Sequence, residues 1–445
     1  MTAAPATPCA PATIALRFSG AYRDLPGADR RALANRSVAV DASVTQAAAT
    51  IIAEVRVRGD AALIELGKRF DGVELERLEV PPAIVQRALE VLDPAVRRAM
   101  ERAARNIEAV HRAFLPAAVE IEPEPGVVVG RRPDALTRVG VYAPGGRAAY
   151  PSSVLMGAIP ARVAGVNEIV LSSPPDATGV PSAHVLAAAA LARVDRVFAV
   201  GGAGAIAAMA IGTASIPRVD RIVGPGNAYV AAAKLALAGS GDVAIDSPAG
   251  PSELLVIADD QADAEGVAVE MVAQAEHDPD ACVVAACIGP EVAAAVQRAL
   301  ASTCERTSRR PVVERALAGQ GGVVSFETLA AAIAFANEYA PEHLLLAVDR
   351  PDQVLPAVRN AGTVFLGQTS SVAFGDYMTG ANHVLPTGGS ARSYSGLSTV
   401  DFVRWTTYQR IDAKAAARLA QDTAAFADAE RLPGHAAAAA RLGPR

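Results

Sequence analysis

Between residues 138 and 239, short apolar runs alternate four times with alanine-rich helical stretches. RVGVY leads into APGGRAAYPSSVLMGAIPARVAG, and EIVLSS into a loop and HVLAAAALARV. RVFAV leads into GGAGAIAAMAIG, and DRIVG into PGNAYVAAAKLALAG. A short apolar run bounded by turn residues reads as a strand buried on both faces, and the helical stretch after it is the crossover that parallel strands require. The repeated order therefore points to an α/β domain with a parallel sheet and right-handed crossovers.

A second set follows the Gly/Pro-rich joint DSPAGPS. ELLVIA is a strand, DAEGVAVEMVAQAEH a helix and ACVVAACI a strand; GGVVSF, a helix over 327–338, LLLAV and GTVFLG complete a second α/β sheet. Upstream, 43–70 reads as a helix with Ser43 as N-cap, and 83–114 as one or two helices broken near Asp93-Pro94. A proline-rich connection, LPAAVEIEPEPG, comes next. These first helices are expected to pack on the second sheet. Beyond residue 396 the chain reads as an extended stretch, STVDFVRWTTYQRI, and then helices, a tail too small to fold alone. With 445 residues the chain exceeds what one core usually holds. The expected organisation is an N-terminal segment (1–36), a discontinuous α/β domain (37–137 with 251–395), a nucleotide-binding-like α/β domain (138–250) and the tail (396–445).

Lys and Arg number 41 against 47 Asp and Glu, a net charge of −6 without a clustered basic face, which argues against nucleic acid. No run of about 20 apolar residues is free of charges or turn breakers, so no membrane span is expected. The N-terminus lacks the basic start and apolar stretch of a signal peptide, and its first dozen residues are expected to be disordered. Cys9, Cys282, Cys287 and Cys304 form no Cys-x-x-Cys pair, which fits a reducing, cytoplasmic setting.

Glycine-rich turns end several of the strands. Gly202-Ala203-Gly204-Ala205-Ile206-Ala207 opens a helix after a strand and fits the G-x-G-x-x-A dinucleotide pattern, with Asp220 eighteen residues on. In a chain so rich in Ala and Gly, a plain strand–helix turn fits it equally. Tyr142-Ala143-Pro144-Gly145-Gly146 and Gly224-Pro225-Gly226-Asn227 end neighbouring strands, where open parallel sheets bind ligands.

There are six histidines. His111, among Arg and Glu, and His184, opening a helix, read as solvated or capping residues. Gln274 and His277 lie three apart at a helix end, so both side chains leave one face. Glu342-His343 sets a carboxylate beside an imidazole at a turn, material for acid–base chemistry or for a buried pair supporting a strand. Asp376 and His383 fall in FGDYMTGANHVLPTGG, a loop better suited to a ligand than to a core. His435 follows Pro433-Gly434 in the tail, with Glu430 five residues earlier; by spacing alone it is a solvated tail residue. Two histidines, a carboxylate and an amide oxygen suit zinc, although no single spacing establishes a site.

The blocks VGVYAPGG, GPGNAYV, AGPSELLVIA, QAEHDPDA, YAPEHLLL, FGDYMTGANHVLPTGGSAR and GLSTVDFVRWTTYQ, in this order, make the chain resemble the histidinol dehydrogenase family along nearly its whole length. The resemblance implies two Rossmann-like parallel-sheet domains, a small helical tail domain and a domain-swapped homodimer. It implies one zinc per subunit, on Gln274, His277, Asp376 and His435, the last reaching the partner subunit's site. It implies that L-histidinol is held by Ser252, Gln274, His277, His343, Asp376, His383, Glu430 and His435. NAD contacts fall on Tyr142, Asn227 and the position of Gly204, where the family usually has Gln in a GGAQAIAA turn. Loss of that amide removes a hydrogen bond of about 1 kcal/mol. The implied reaction oxidises L-histidinol through L-histidinaldehyde to L-histidine with two NAD. His343 serves as base in both steps and Glu342 activates water. Two rival readings keep the fold: a paralogue acting on another small polar alcohol, and a binding protein without catalysis.

Overall fold

A computed structural model describes residues 14–36, 41–145, 149–248 and 250–444. The expected disorder of the first dozen residues, and Cys9, lie outside these. β1 (Phe18–Ala21) and the helix Gly27–Ala34 open the described chain. The helices Ala42–Arg58, Asp60–Leu66, Pro82–Val91 and Pro94–Ala113 follow. Next come β2 (Val119–Glu124), β3 (Val127–Ala135), β4 (Arg138–Tyr142), β5 (Glu168–Ser173), β6 (Arg196–Ala199), β7 (Arg221–Val223) and β8 (Ala244–Ile245). A helix follows each of β4 to β7. The remaining strands are β9 (Glu253–Ala258), β10 (Cys282–Ile288), β11 (Gly322–Phe326), β12 (His343–Ala347), β13 (Thr363–Leu366) and β14 (Val403–Ile411). The helices Ala413–Ala429 and Pro433–Ala440 end the chain.

The four strand–helix units form a parallel sheet ordered β6-β5-β4-β7-β8. The order reverses between β4 and β7, the switch point where such sheets open a crevice. The second sheet, β1-β11-β10-β9-β12-β13, is also parallel and repeats this plan about β9 and β12. Two Rossmann-like sheets are therefore present, as the alternation of elements indicates.

Three expectations are corrected. The helices between 42 and 113 pack on the first sheet, not the second. Ala42–Arg58 lies on the helices Gly202–Ile211 and Ala228–Gly239, Pro82–Val91 on Ala183–Leu191, and Pro94–Ala113 on Pro151–Ala164. Ile52, Val85 and Ile107 share one core with Val139, Ile169 and Ile222. The reason is the crossover helices themselves: AHVLAAAAL and GAGAIAAMAI have no polar face, and a helix apolar all round needs a further layer over it. The 43–70 stretch is not one helix. It breaks at Gly59, which takes φ 55° and ψ −129°, and Asp41 rather than Ser43 caps it, accepting from Ser43 N at 2.7 Å. The N-terminal segment is not separate either, because β1 extends the second sheet beside β11.

The connection after residue 114 also differs. β2 and β3 form a small antiparallel sheet in which β14 pairs with β3 over its whole length. Glu, Arg and Pro interrupt the alternation there, so a strand with little core beneath it reads as a linker.

His111 is buried, contrary to its reading as solvated or capping, whereas His184 is exposed. The Thr399 hydroxyl donates to the His111 carbonyl at 2.7 Å, and the His111 Nε2 has no partner. Burial pulls this imidazole down to about 4. The folded chain therefore refuses a proton that the unfolded chain takes below its ordinary pKa, about 6.5. Stability falls as pH drops from that value toward 4. Between pH 7 and pH 5 the wild type is expected to lose about 2 kcal/mol more than His111→Leu in denaturant titrations. Equal losses would show that His111 titrates normally in the folded protein.

Candidate active site

One cleft of about 160 Å³ lies between the two sheets. The first sheet presents the carboxyl ends of its strands there, through Tyr150, Gly224 and Pro225. The second presents its amino ends, since Glu342 and His343 open β12 and Ser252 precedes β9. Only the first half follows the rule that ligands meet the carboxyl ends of strands.

Ser252, Gln274, His277, Glu342, His343, Asp376 and His383 all line this cleft. Gln274 and His277 leave the end of the helix Ala264–Ala275, as their spacing requires. Asp376 comes from the short helix Val372–Tyr377, and its backbone carbonyl meets His383 Nδ1 at 2.9 Å. His343, His383 and His277 all act electrostatically on Asp376; despite its burial, these neighbours hold its carboxyl below the usual range.

Glu342 and His343 are both buried, and their side chains replace the last rungs of the β9–β12 ladder. Glu253 N donates to Glu342 Oε2 at 2.7 Å, and His343 Nδ1 meets the Glu253 carbonyl at 2.9 Å. A carbonyl only accepts, so Nδ1 carries the hydrogen and Nε2 of the neutral ring bears the lone pair. That Nε2 has no hydrogen-bond partner and stands 3.5 Å from Asp376 Oδ1. Burial disfavours the imidazolium, but the Glu342 carboxylate beside Nδ1 and Asp376 beside Nε2 outweigh burial and raise the imidazole well above its ordinary pKa. The two carboxylates favour the protonated ring, and the neutral ring is the form that can accept a proton. Burial pushes the Glu342 carboxyl up, against the pull of His343. This is a proton-handling pair, on the wall of the cleft, in which one ring nitrogen has no hydrogen-bond partner.

Glu430 and His435 do not line the cleft; both are exposed on the tail. The implied nucleotide contacts are also outside it. The Tyr142 hydroxyl is buried and accepts Gly202 N–H at 3.0 Å. Asn227 caps the helix Ala228–Gly239, its Oδ1 accepting from Tyr229 N and Val230 N at 3.1 Å each. Gly204 is buried, and a Cβ on it would lie 3.1 Å from Leu66 Cδ1 and 3.4 Å from Leu63 Cδ2. It is a packing glycine under the helix Asp60–Leu66, so no side-chain ligand contact comes from it. Asp220 is no ribose ligand in a dinucleotide fingerprint; its carboxylate accepts Thr137 N and Arg138 N at 2.9 Å each.

Two buried ion pairs near the cleft escaped sequence reading. Lys234 donates to Asp246 and, at 3.0 Å, to the Gly224 carbonyl, while Asp246 accepts Gly224 N at 2.8 Å. Together they fix the turn after β7. Gly224 has φ +116°, and a Cβ there would fall 2.1 Å from the Tyr142 carbonyl oxygen. Arg36 and Glu253 form the other pair. The available signal was a charge in an apolar element: Lys234 in AYVAAAKLALAG and Glu253 opening ELLVIA.

A sequence model of the histidinol dehydrogenase family matches residues 34–442. The chain belongs to the histidinol dehydrogenase family. It is 45% identical over 388 residues to histidinol dehydrogenase of Methanothermobacter thermautotrophicus, covering 87% of this chain and 91% of that one. Against the Chlorobaculum tepidum histidinol dehydrogenase it is 44% identical over 404 residues, covering 91% and 94%. The crystal structure of histidinol dehydrogenase from Elizabethkingia anophelis superposes with TM-score 0.91 at 34% identity, covering 96% of this chain and 98% of that chain. As a member of the histidinol dehydrogenase family the chain is an enzyme, an oxidoreductase of the alcohol and aldehyde dehydrogenase kind. Among the described residues no helix is long and apolar enough to cross a membrane.

Proposed function

We propose that this chain oxidises L-histidinol to L-histidine through L-histidinaldehyde, the last steps of histidine biosynthesis, using NAD and one bound zinc per subunit. The observation that carries this reading is the partnerless Nε2 of buried His343, which lines the same cleft as Gln274, His277 and Asp376.

Among the described residues, no three His, Cys, Asp or Glu side chains of one chain are placed to hold a metal ion. The expected donor set has only His277 and Asp376 of those types in this cleft. Gln274 adds an amide oxygen, and His435 of a second copy would complete the set. These N and O donors suit zinc, which would act as a template holding the substrate's nitrogens. NAD would accept a hydride in each oxidation. Support for its binding here is the switch point at β4 and β7, beside which Tyr142 and Asn227 stand. A side-chain contact from Gly204 is no part of this reading.

The protein's own groups do the proton work. His343 Nε2 takes the hydroxyl proton as the carbinol carbon loses hydride. Glu342, its carboxylate aimed by Glu253 N–H, takes a proton from the water that adds to the aldehyde. His343 then serves again when the hydrate loses its hydride. Ser252 and His383 line the pocket around the substrate. None of the described cysteines takes part: burial pushes the Cys282 and Cys287 thiols up to about 12. Buried free thiols also fit a cytoplasmic, reducing setting.

Glu342→Gln is expected to keep the first oxidation within about tenfold of wild type and to lose the second by about 100-fold or more, because an amide cannot accept the proton of water. Separate assays with L-histidinol and L-histidinaldehyde check this; equal losses in both would remove the assigned role. The overall reading is tested by NADH formed per L-histidinol consumed, with a chelator and with zinc restored. Two NADH per substrate, lost and regained with the metal, is the expected result. No NADH from folded, zinc-loaded protein would favour another small polar alcohol.

A further inference from the structure

Glu253 touches the reacting pair at three points. Its N–H holds the Glu342 carboxylate at 2.7 Å, its carbonyl holds His343 Nδ1 at 2.9 Å, and its own Oε2 accepts Glu342 N–H at 3.3 Å. Its Oε1 also accepts Gly388 N at 2.9 Å, from the loop that carries His383. This places a second buried carboxylate directly behind Glu342, and an unpaired buried charge there would protonate or move.

Arg36 prevents both. Its guanidinium makes two parallel bonds to the Glu253 carboxylate, each 3.0 Å, with both side chains buried. It donates further to the carbonyls of Leu33 and Tyr339, each at 2.8 Å, and lies 3.2 Å from the centre of the Tyr339 ring. Arg36 is thus held on three sides and holds Glu253 in turn. Such a planar fork fixes direction as well as charge.

We propose that Arg36, acting through Glu253, is a positioning residue that aims Glu342 and keeps the hydrogen of His343 on Nδ1. The proposal rests on reading Glu342 and His343 as the reacting pair. Arg36 touches neither substrate nor reacting atoms, so its effect falls on turnover rather than on binding.

The test uses zinc-loaded Arg36→Met. Misaiming a reacting group lowers kcat by on the order of 100-fold, with KM within about threefold of wild type. An independent readout is the far-downfield ring N–H proton signal of His343, assigned as the one missing from His343→Gln. Wild type shows it, slowly exchanging against the Glu253 carbonyl; Arg36→Met loses it. A retained signal in folded Arg36→Met overturns the proposal whatever the kinetics. If wild type is inert toward L-histidinol and Arg36→Met still loses the signal, the positioning role stands and the substrate reading fails. Should Arg36→Met not fold, Arg36→Lys decides. It keeps the charge but not the two parallel bonds, so kcat is expected to fall about tenfold at unchanged KM with a weakened signal. Wild-type values for both overturn the proposal.

Discussion

His343→Asn is expected to stop NADH formation from L-histidinol and from L-histidinaldehyde alike. In the proposed mechanism one nitrogen accepts the proton in both oxidations: the Nε2 of His343, partnerless in a buried ring. Asparagine can hydrogen-bond near the same place but has no basic lone pair at neutral pH. Loss of a general base costs typically 100- to 10,000-fold, roughly 3 to 5 kcal/mol of barrier. Because Gln274, His277, Asp376 and His383 remain in the cleft, the variant should still bind substrate, and its KM should stay within a few fold. Single-turnover absorbance with each substrate reads both steps. A residual rate above about a tenth of wild type in either would mean that another group takes the proton.

Mixing two inactive variants, His343→Asn and His435→Ala, is expected to restore activity. In one chain the cleft holds Gln274, His277 and Asp376, while His435 stands exposed on the closing helix Pro433–Ala440. If the tail serves the partner's cleft, a hybrid dimer carries one site with both lesions and one with neither. Random exchange makes half the dimers hybrid, so about one quarter of wild-type activity returns. Zinc content should follow: His435→Ala alone is expected to retain much less metal. No recovery after proven subunit exchange would place His435 in its own chain's site or outside any site.

The parts that were legible share a trait: they are set by local pattern. Strand–helix alternation specifies both parallel sheets. The three-residue step from Gln274 to His277 sets one helix face, and the texture of FGDYMTGANHVLPTGG marks a loop with Asp376 and His383. What stayed hidden depends on distant partners. Nothing near Arg36 shows that it meets Glu253, 217 residues on. The G-x-G-x-x-A pattern was misleading because Gly204 packs closely under Leu63 and Leu66 from another helix. Even so, the layer of helices over the first sheet had a local signal. Crossover helices without any polar side announce that something else must cover them.

Asp246, Ser247, Gly250 and Ser252 all line the cleft, and they belong to the joint between the two sheets. One of the covalent links between the lobes is therefore part of the wall of the cleft. In many two-lobed enzymes the hinge lies behind the site, and its bending reaches the ligand by leverage. Here a change in lobe spacing would be felt as a direct push on the ligand, with no lever arm between. Lengthening this link by one residue would redraw the binding surface itself.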